Sequence, residues 1–220
     1  MKKIKLSRRD FLIGSTVTGG GLMIAFSLGG CEQDRVPSIE TGAAGELPPE
    51  SDEGEFKPNA WLSIYSDDTV TIRVGSSEMG QGTLTGIAML IADELDADWS
   101  KVHAEHAPAD KAFTNPIIGR QHTGGSTAIR GFWPIVRKAG AVGREMLMHA
   151  AAVRWNVHPT DCHTENGAVI HEACVHHHLS YGELADSASQ LPLPESVFLK
   201  EPDEFVLIGK SIARLDIPDK

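Results

Sequence analysis

Two glycine-rich runs carry the residue types best suited to hold an anionic ligand. The first is Glu78-Met79-Gly80-Gln81-Gly82, and the second is Gln121-His122-Thr123-Gly124-Gly125-Ser126-Thr127. Each run lies where a helix is predicted to begin. Glycine lets the main chain approach a ligand closely and adopt positive φ, while the free N–H groups of a helix's first turn favour negative charge. Two such loops predict one large ligand that carries phosphate.

Polar side chains in the two runs add hydrogen-bonding capacity. Gln81 both donates and accepts, and Ser126 and Thr127 carry hydroxyls. A glycine pair before a helix is also an ordinary tight turn, so neither run alone identifies a ligand. Glu78 would repel an anionic ligand unless it faced away or capped a backbone N–H, and we therefore expect a structural role for it.

The first thirty residues have the pattern of an export signal. Lys2, Lys3 and Lys5 precede Ser7-Arg8-Arg9-Asp10-Phe11-Leu12, and a moderately apolar, glycine-containing stretch follows to residue 28. Paired arginines before such a stretch are typical of twin-arginine export, and the run is short for a bilayer span. We predict a twin-arginine signal peptide over residues 1–30 and a periplasmic location.

The segment after the signal has two features. Leu28-Gly29-Gly30-Cys31 has the form of a lipobox, so either Cys31 is lipidated and becomes the amino terminus, or it is a chance cysteine near a cleavage site. Residues 31–57 are rich in proline, glycine and acids, which predicts an acidic disordered tether. Removal of residues 1–30 changes the formal charge from −10 to −14. So acidic a chain is not expected to bind nucleic acid.

Residues 58–220 have the length of one domain. Apolar periodicity and turn residues predict a mixed α/β (α+β) fold with hairpins and one long helix. The predicted elements are hairpins around Ser66-Asp67-Asp68 and Asn166-Gly167, a strand at 102–106, and helices at 84–95, at 126–155 with a kink at Pro134, and at 181–188 with Ser180 as N-cap.

From residue 61 onward the chain closely resembles the amino-terminal part of the large, molybdopterin-binding subunit of the isoquinoline 1-oxidoreductase type, in the xanthine dehydrogenase and aldehyde oxidase family. The motifs that carry the resemblance are residues 78–83, 123–127, 139–141, 179–185, 208–210 and 214–220. The resemblance implies a molybdenum–molybdopterin cofactor, in its cytosine dinucleotide form, shared with parts outside this chain. By the same resemblance, the residues that contact the pterin and its pyrophosphate are Gly80, Gln81, Gly82, Thr123, Gly124, Gly125, Ser126 and Thr127.

Complete relatives would oxidise N-heteroaromatic compounds or aldehydes, with water as the oxygen source. The resemblance implies as partners the remainder of the large subunit, a small [2Fe-2S] subunit and a periplasmic electron acceptor such as a cytochrome. It also implies a catalytic glutamate near the family's carboxyl end, outside the matched part, so no catalytic residue is assigned here. We expect a truncated or separately encoded portion that is inactive alone. The rival hypothesis is a non-catalytic periplasmic or lipid-anchored binding module that retains the fold.

Histidines and cysteines outside the glycine runs do not predict a metal site. His176-His177-His178 would point to alternating faces if extended, so all three cannot reach one ion, and a solvated loop is expected. Cys162 and Cys174 are either a disulfide or two separate thiols. Beside the second glycine run, His122 and Arg130 each remain open between a phosphate contact and an ordinary surface position.

Overall fold

The predicted mixed α/β class is confirmed by a computed structural model, which describes residues 2–5, 22–25 and 60–217. Within these ranges, three helices pack against small sheets. In chain order the strands are β1 (Lys2–Lys5), β2 (Leu22–Ala25), β3 (Ala60–Ile64), β4 (Val70–Val74), β5 (Val102–His106), β6 (Cys162–Glu165), β7 (Ala168–His171), β8 (Cys174–Ser180) and β9 (Ser196–Leu199), and the helices are α1 (Thr83–Leu95), α2 (Ala128–Trp155) and α3 (Tyr181–Ser189).

The largest sheet has the strand order β2-β3-β4-β5 and positions the first glycine run. β3 and β4 form the predicted hairpin, with Asp68 at φ 69° in its turn. β5 runs parallel to β4, and a parallel neighbour requires a crossover connection. That connection contains the first glycine run and α1, so the run lies at the end of β4 and at the start of α1.

The predicted hairpin around Asn166-Gly167 is confirmed and extends to a third strand. β6, β7 and β8 form an antiparallel sheet, and Asn166 and Gly167 both have positive φ, at 46° and 78°. Positive φ at both central residues is what a tight two-residue hairpin turn needs. β8 leads into α3, where Ser180 is the predicted N-cap and forms a capping box with Glu183.

The packing of α1 against α2 brings the two glycine runs together. α2 begins at the second run, continues through Pro134 and ends at Trp155. At the crossing, a Cβ built on Gly140 would lie 2.4 Å from the carbonyl oxygen of Ile91 on α1. Only glycine permits this approach. The helices are close because α2 has no side chain at position 140.

Charged groups are buried at the end of α1. The Glu94 carboxylate is fully buried and accepts hydrogen bonds from Arg137 Nε at 2.7 Å and from the Lys200 backbone at 3.2 Å. Arg144 donates to the Glu94 carbonyl at 2.6 Å. Burial raises the pKa of the Glu94 carboxyl group more than the two guanidinium groups lower it. These bonds hold α1, α2 and the segment after β9 in one arrangement.

Two segments of the predicted leader are described as strands. β1 pairs with β9, and β2 pairs with β3, both antiparallel. The assignment of residues 1–30 as a signal peptide stays a prediction, and Cys31 and the tether at 31–57 lie outside the described residues. Among the helices described, none is long and apolar enough to cross a membrane.

Candidate cofactor-binding site

The carboxylate of Glu78 organises the first glycine loop. Its Oε1 accepts hydrogen bonds from the backbone N–H groups of Gly80 and Gly82, at 2.8 and 2.9 Å, and its Oε2 accepts one from Leu84 at 2.9 Å. The expected structural role of Glu78 as a cap of backbone N–H groups is therefore confirmed. It also means that these three amides are satisfied within the protein and face a carboxylate.

The charge of Glu78 is stabilised where it lies. Burial raises the pKa of this carboxyl group, but the backbone donors of Leu84, Gly82 and Gly80, together with the Arg214 guanidinium, hold the pKa below its usual value. Arg214 Nη2 lies 3.1 Å from Glu78 Oε1. The carboxylate is thus ionised at neutral pH and forms part of the loop's framework.

Gln81 also bonds within the loop. Its Nε2 donates to the Ser77 carbonyl at 2.8 Å, and its Oε1 accepts from the Met79 backbone at 2.5 Å. The sequence had suggested an amide free to meet a ligand, whereas the structure uses both ends of this amide to fix the loop. A cofactor contact by Gln81 stays a prediction.

Gly80 and Gly82 meet the conditions expected of glycines at a binding loop. Their φ angles are +97° and +80°, a region that other residues rarely adopt. A Cβ built on either residue would have no heavy atom within 4 Å. The space in front of both glycines is therefore open to a ligand.

The second glycine loop is held from below by buried Asn115. Asn115 Nδ2 donates to the carbonyl oxygen and to Oγ1 of Thr127, at 3.2 and 3.1 Å. Thr127 Oγ1 in turn donates to the Gly124 carbonyl at 2.8 Å. Gly125 and Ser126 adopt positive φ, at 60° and 52°. The predicted helix start at residue 126 is two residues early, because Ser126 is left-handed and belongs to the loop.

Gly124 and Arg130 contact other residues of the second loop. A Cβ at Gly124 would lie 2.7 Å from His122 Nε2, so the absence of a side chain makes room for the His122 ring. Arg130 Nε donates to the Ser126 carbonyl at 3.1 Å, so this side chain is bonded to the backbone of the loop. Both residues shape the second loop in this structure.

A single hydrogen bond joins the two loops. The Ser77 backbone N–H donates to Thr123 Oγ1 at 2.8 Å. Two clefts lie at this junction, one of ≈ 340 Å³ and one of ≈ 620 Å³, and Met79 and Thr123 line both. The sizes lie in the range typical of small-molecule and cofactor sites. The structure therefore brings the two predicted runs together at one site.

The smaller cleft has the chemistry to hold an anionic group. It is lined by Ser126, Thr127, Ala128 and Ile129 at the start of α2, and Thr127 makes no side-chain capping bond to this helix. None of the described residues that line the cleft is acidic. The start of this 28-residue helix thus lies beside the cleft without a side-chain cap, which favours negative charge there.

The larger cleft contains a buried hydroxyl that lacks a partner. Ser76 is 2% exposed, and its Oγ has no hydrogen-bond partner among the described residues. A buried polar atom without a partner costs free energy that a bound polar ligand would recover. Together with the open glycines and the uncapped helix start, this hydroxyl shows that the site fits a large, polar, anionic cofactor such as molybdopterin.

The histidine cluster lies elsewhere and is not a loop. His176, His177 and His178 are on β8, so the prediction of a solvated loop is wrong. The predicted alternation of their side chains is confirmed, because His177 stacks on Trp155 at 5.2 Å while its two neighbours are exposed. A register shift in the β7–β8 pairing beside His171 accommodates these residues. Among the described residues, no group of three His, Cys, Asp or Glu side chains could hold a metal ion.

The two cysteines are separate thiols in the structure. Cys162 lies on β6 and Cys174 on β8, with β7 between them, and both are free. Burial raises the pKa of the Cys162 thiol, and the neighbouring Asp161 and Glu172 raise it further. Cys162 is therefore a protonated packing residue rather than a reactive thiolate.

Among the residues of the site that sequence reasoning missed are Ser77, Asn115 and Arg214. Ser77 contributes through its backbone, for which no side-chain pattern exists. Asn115 acts from beneath the second loop. Arg214 lies in one of the matched motifs, at 214–220, but only the folded chain places it beside Glu78.

The chain belongs to the molybdopterin cofactor-binding domain family, whose sequence model matches residues 36–211. Its fold is accordingly that of the cofactor-binding domain of molybdenum hydroxylases, as the resemblance predicted.

Three known proteins are similar to most of this chain. The chain is 32% identical to the beta subunit of isoquinoline 1-oxidoreductase from Brevundimonas diminuta, over 99% of this chain and 31% of that protein. It is 31% identical to the membrane-bound aldehyde dehydrogenase (pyrroloquinoline-quinone) of Gluconacetobacter polyoxogenes, over 100% of this chain and 27% of that protein. It is 30% identical to a subunit of nicotinate dehydrogenase from Pseudomonas putida, over 73% of this chain and 13% of that protein. The chain thus spans less than a third of the length of these relatives.

Two solved structures match part of this chain. The Cu,Mo-CO dehydrogenase matches with a TM-score of 0.46 and 22% identity, over 56% of this chain and 15% of that chain. Quinoline 2-oxidoreductase from Pseudomonas putida 86 matches with a TM-score of 0.38 and 17% identity, over 61% of this chain and 17% of that chain.

Proposed function

We propose that this chain is the portion of an exported molybdenum hydroxylase-type oxidoreductase that holds the molybdopterin cofactor at the junction of the two glycine loops. The observation that carries the proposal is the 2.8 Å hydrogen bond from Ser77 N–H to Thr123 Oγ1, because it makes two loops distant in sequence into one site. When bound, the cofactor supplies the metal centre for oxidation with water as the oxygen source. The chain's own residues bind and orient it.

The two loops have different tasks in this proposal. Glu78 already occupies three amides of the first loop, so this loop contributes a fixed shape and open space in front of Gly80 and Gly82. The start of α2 has no side-chain cap, and we assign the phosphate of the cofactor to it.

The wider activity follows from the names of the relatives. An isoquinoline 1-oxidoreductase subunit, a nicotinate dehydrogenase subunit and an aldehyde dehydrogenase support an N-heteroaromatic compound or an aldehyde as the substrate. Two of these relatives are named as subunits, which supports assembly into a larger complex. We propose the remainder of a large subunit and a small [2Fe-2S] subunit as its other members. We extend the proposal to the cytosine dinucleotide form of the cofactor and to inactivity of this chain alone.

The proposed location is the periplasm. It rests on Ser7-Arg8-Arg9-Asp10-Phe11-Leu12, which has the form of a twin-arginine signal, and on Leu28-Gly29-Gly30-Cys31 for a lipid anchor at Cys31. Twin-arginine export carries folded proteins, and this suits a cofactor that is inserted before translocation.

A pair of variants at Ala128 tests the cofactor site. Ala128 lies in the first turn of α2 and lines the smaller cleft. Ala128→Asp adds a carboxylate that suits a helix start, so the fold should be kept. The same carboxylate would repel an anion about 4 Å away by roughly 1–4 kcal/mol at an effective dielectric constant between 80 and 20. Ala128→Asn has the same shape without the charge and is the matched control.

The measurement is molybdenum and pterin content per chain. Each variant is produced in a cofactor-making host together with a polypeptide that supplies the rest of the large subunit, and circular dichroism checks folding. We expect Ala128→Asn to retain most of the cofactor and Ala128→Asp to lose at least about fivefold, the lower bound of the repulsion above. Equal cofactor content in the two folded variants would refute the assignment of the cofactor's phosphate to the start of α2. A wild-type assembly without cofactor would refute the proposed function itself.

A further inference from the structure

Residues 214–216 grip the first glycine loop from a distant part of the chain. Arg214 Nη1 donates to the Gly80 carbonyl at 2.9 Å, and Nη2 donates to Glu78 Oε1 at 3.1 Å. The Leu215 backbone N–H donates to Thr85 Oγ1 at 3.0 Å. The segment therefore holds the loop on both sides of the start of α1.

Arg214 is itself fixed in place. Asp216 accepts hydrogen bonds from Arg214 Nε at 3.0 Å and from Nη2 at 2.6 Å. The side chains of Glu78 and Arg214 are 8% and 30% exposed. Exposed ion pairs contribute little because both partners are solvated and mobile, but this pair is largely shielded and its cation is held by a second carboxylate.

The position of Glu78 poses an electrostatic problem that Arg214 solves. A carboxylate beside the site of an anionic ligand raises the free energy of binding unless its charge is compensated. Within the described part of the chain, Arg214 is the only cationic side chain paired with Glu78, and it shares its charge with Asp216, whose carboxylate lies 2.6 Å away. Arg214 therefore compensates the charge of Glu78 in part. The three loop amides of Gly80, Gly82 and Leu84 stabilise the carboxylate but carry no net charge.

We propose that Arg214 is a positioning residue of the cofactor site, which holds Glu78 against the loop amides and compensates its charge so that an anionic cofactor can bind in front of the loop. The inference rests on the proposed function. It assigns to the segment at 214–216 the task of setting the shape and the charge of a loop more than 130 residues earlier. Arg214 acts through Glu78 and Gly80, without a contact of its own to the cofactor.

Four variants distinguish the effect of Arg214 on the shape of the first loop from its effect on the charge of the site. Arg214→Gln removes the compensating charge, and Arg214→Lys restores the charge without the two-pronged contact. The double variant Glu78→Gln/Arg214→Gln removes both charges. Arg154→Gln is the matched control, because Arg154 is exposed in the last turn of α2, roughly 39 Å along the helix from its start. All variants are made in the full chain.

The first readout is cofactor content in the reconstituted assembly. We expect at least a fivefold loss in Arg214→Gln, partial recovery in Arg214→Lys, and wild-type content in Arg154→Gln. The double variant should carry more cofactor than Arg214→Gln alone, because the uncompensated carboxylate is gone. A purely structural role predicts the opposite order, since the double variant has lost more contacts.

The second readout needs no cofactor. Hydrogen exchange of the Gly80 and Gly82 amides, measured by NMR in the chain alone, should be at least fivefold faster in Arg214→Gln than in wild type. Equal exchange rates, or full cofactor content in Arg214→Gln, would overturn the inference. A double variant with no more cofactor than Arg214→Gln would overturn charge compensation. A wild-type assembly without cofactor would instead refute the proposed function, and the exchange rates would still decide whether Arg214 holds the loop.

Discussion

Gly140 sets the distance between α1 and α2, and with it the distance between the two glycine loops. A Cβ at this position would lie 2.4 Å from the Ile91 carbonyl oxygen and 2.8 Å from Glu94 Cβ. The first of these atoms belongs to the backbone of α1 and cannot rotate away. Gly140→Ala should therefore push the helices apart by roughly 1 Å, the shift needed to restore ordinary van der Waals contact.

The expected effect on stability is the balance of two terms. Overpacking of a well-packed core costs about 1–3 kcal/mol, and occasionally more. Alanine in place of glycine within a helix returns about 1 kcal/mol. We expect a net loss of about 2 kcal/mol, since the obstruction is a backbone atom and the upper end of the first range applies. For a domain of this size such a loss lowers Tm by roughly 4–8 °C.

Gly86→Ala is the control, because its Cβ would meet only the terminal methyl of Ile129, at 3.1 Å. Ile129 is 37% exposed and can adjust, so this variant should be neutral or more stable by up to about 1 kcal/mol. Urea unfolding followed by circular dichroism gives both values. If Gly140→Ala is as stable as Gly86→Ala, the close helix crossing is wrong, and with it our account of how the loops meet.

Three other predictions concern charged residues. Glu94→Gln should lower the free energy of unfolding by about 3–5 kcal/mol, measured by urea unfolding, because two buried guanidinium groups lose their counter-ion, and a loss below about 1 kcal/mol would contradict this. Burial raises the pKa of the Asp68 carboxyl group, but hydrogen bonds that include those from Lys101 Nζ and Gly182 N–H hold this pKa below 3.8. Asp68→Asn, which keeps the shape of the side chain and tolerates the positive φ of this residue, should therefore cost about 1–2 kcal/mol at pH 7. The charge-dependent part of this difference should be lost as the pH falls below 3.8 and through the lowered pKa of the folded protein, whereas a pH-independent difference would exclude a charge effect. Replacing Arg8 and Arg9 by lysine should leave the precursor in the cytoplasm on cell fractionation, and efficient export of this variant would refute the signal assignment.

Elements governed by neighbouring residues could be predicted from the sequence. The Asn166-Gly167 turn, the Ser180 N-cap and β5 all formed as expected, because each depends on residues within a few positions. The position of both glycine runs at helix starts was correct for the same reason. Their meeting at one site was predicted from the residue types of the two runs and from the family resemblance, and the Ser77–Thr123 bond now provides a physical cause.

Contacts between distant residues could not be predicted. No local pattern shows that the Ser77 backbone bonds Thr123, or that Arg214 reaches Glu78. His177 was expected in a loop because three polar histidines suggest solvent, but pairing with β7 and stacking on Trp155 outweighed that preference. Such tertiary contacts routinely override local propensity.

The sequence predicts an anion-binding role for both loops, whereas in the structure the two loops have different roles. The first loop has its amides satisfied by Glu78, so its shape is set before a ligand arrives, and little ordering free energy is lost on binding. The second loop leaves the start of α2 without a side-chain cap, so its donors stay available for an anion. A site with free amides on both loops would bind negative charge more strongly but would have to order the first loop each time. The carboxylate of Glu78 therefore fixes the geometry of the first loop but lowers the capacity of this loop to bind an anion. Arg214 offsets part of the negative charge that Glu78 brings to the site.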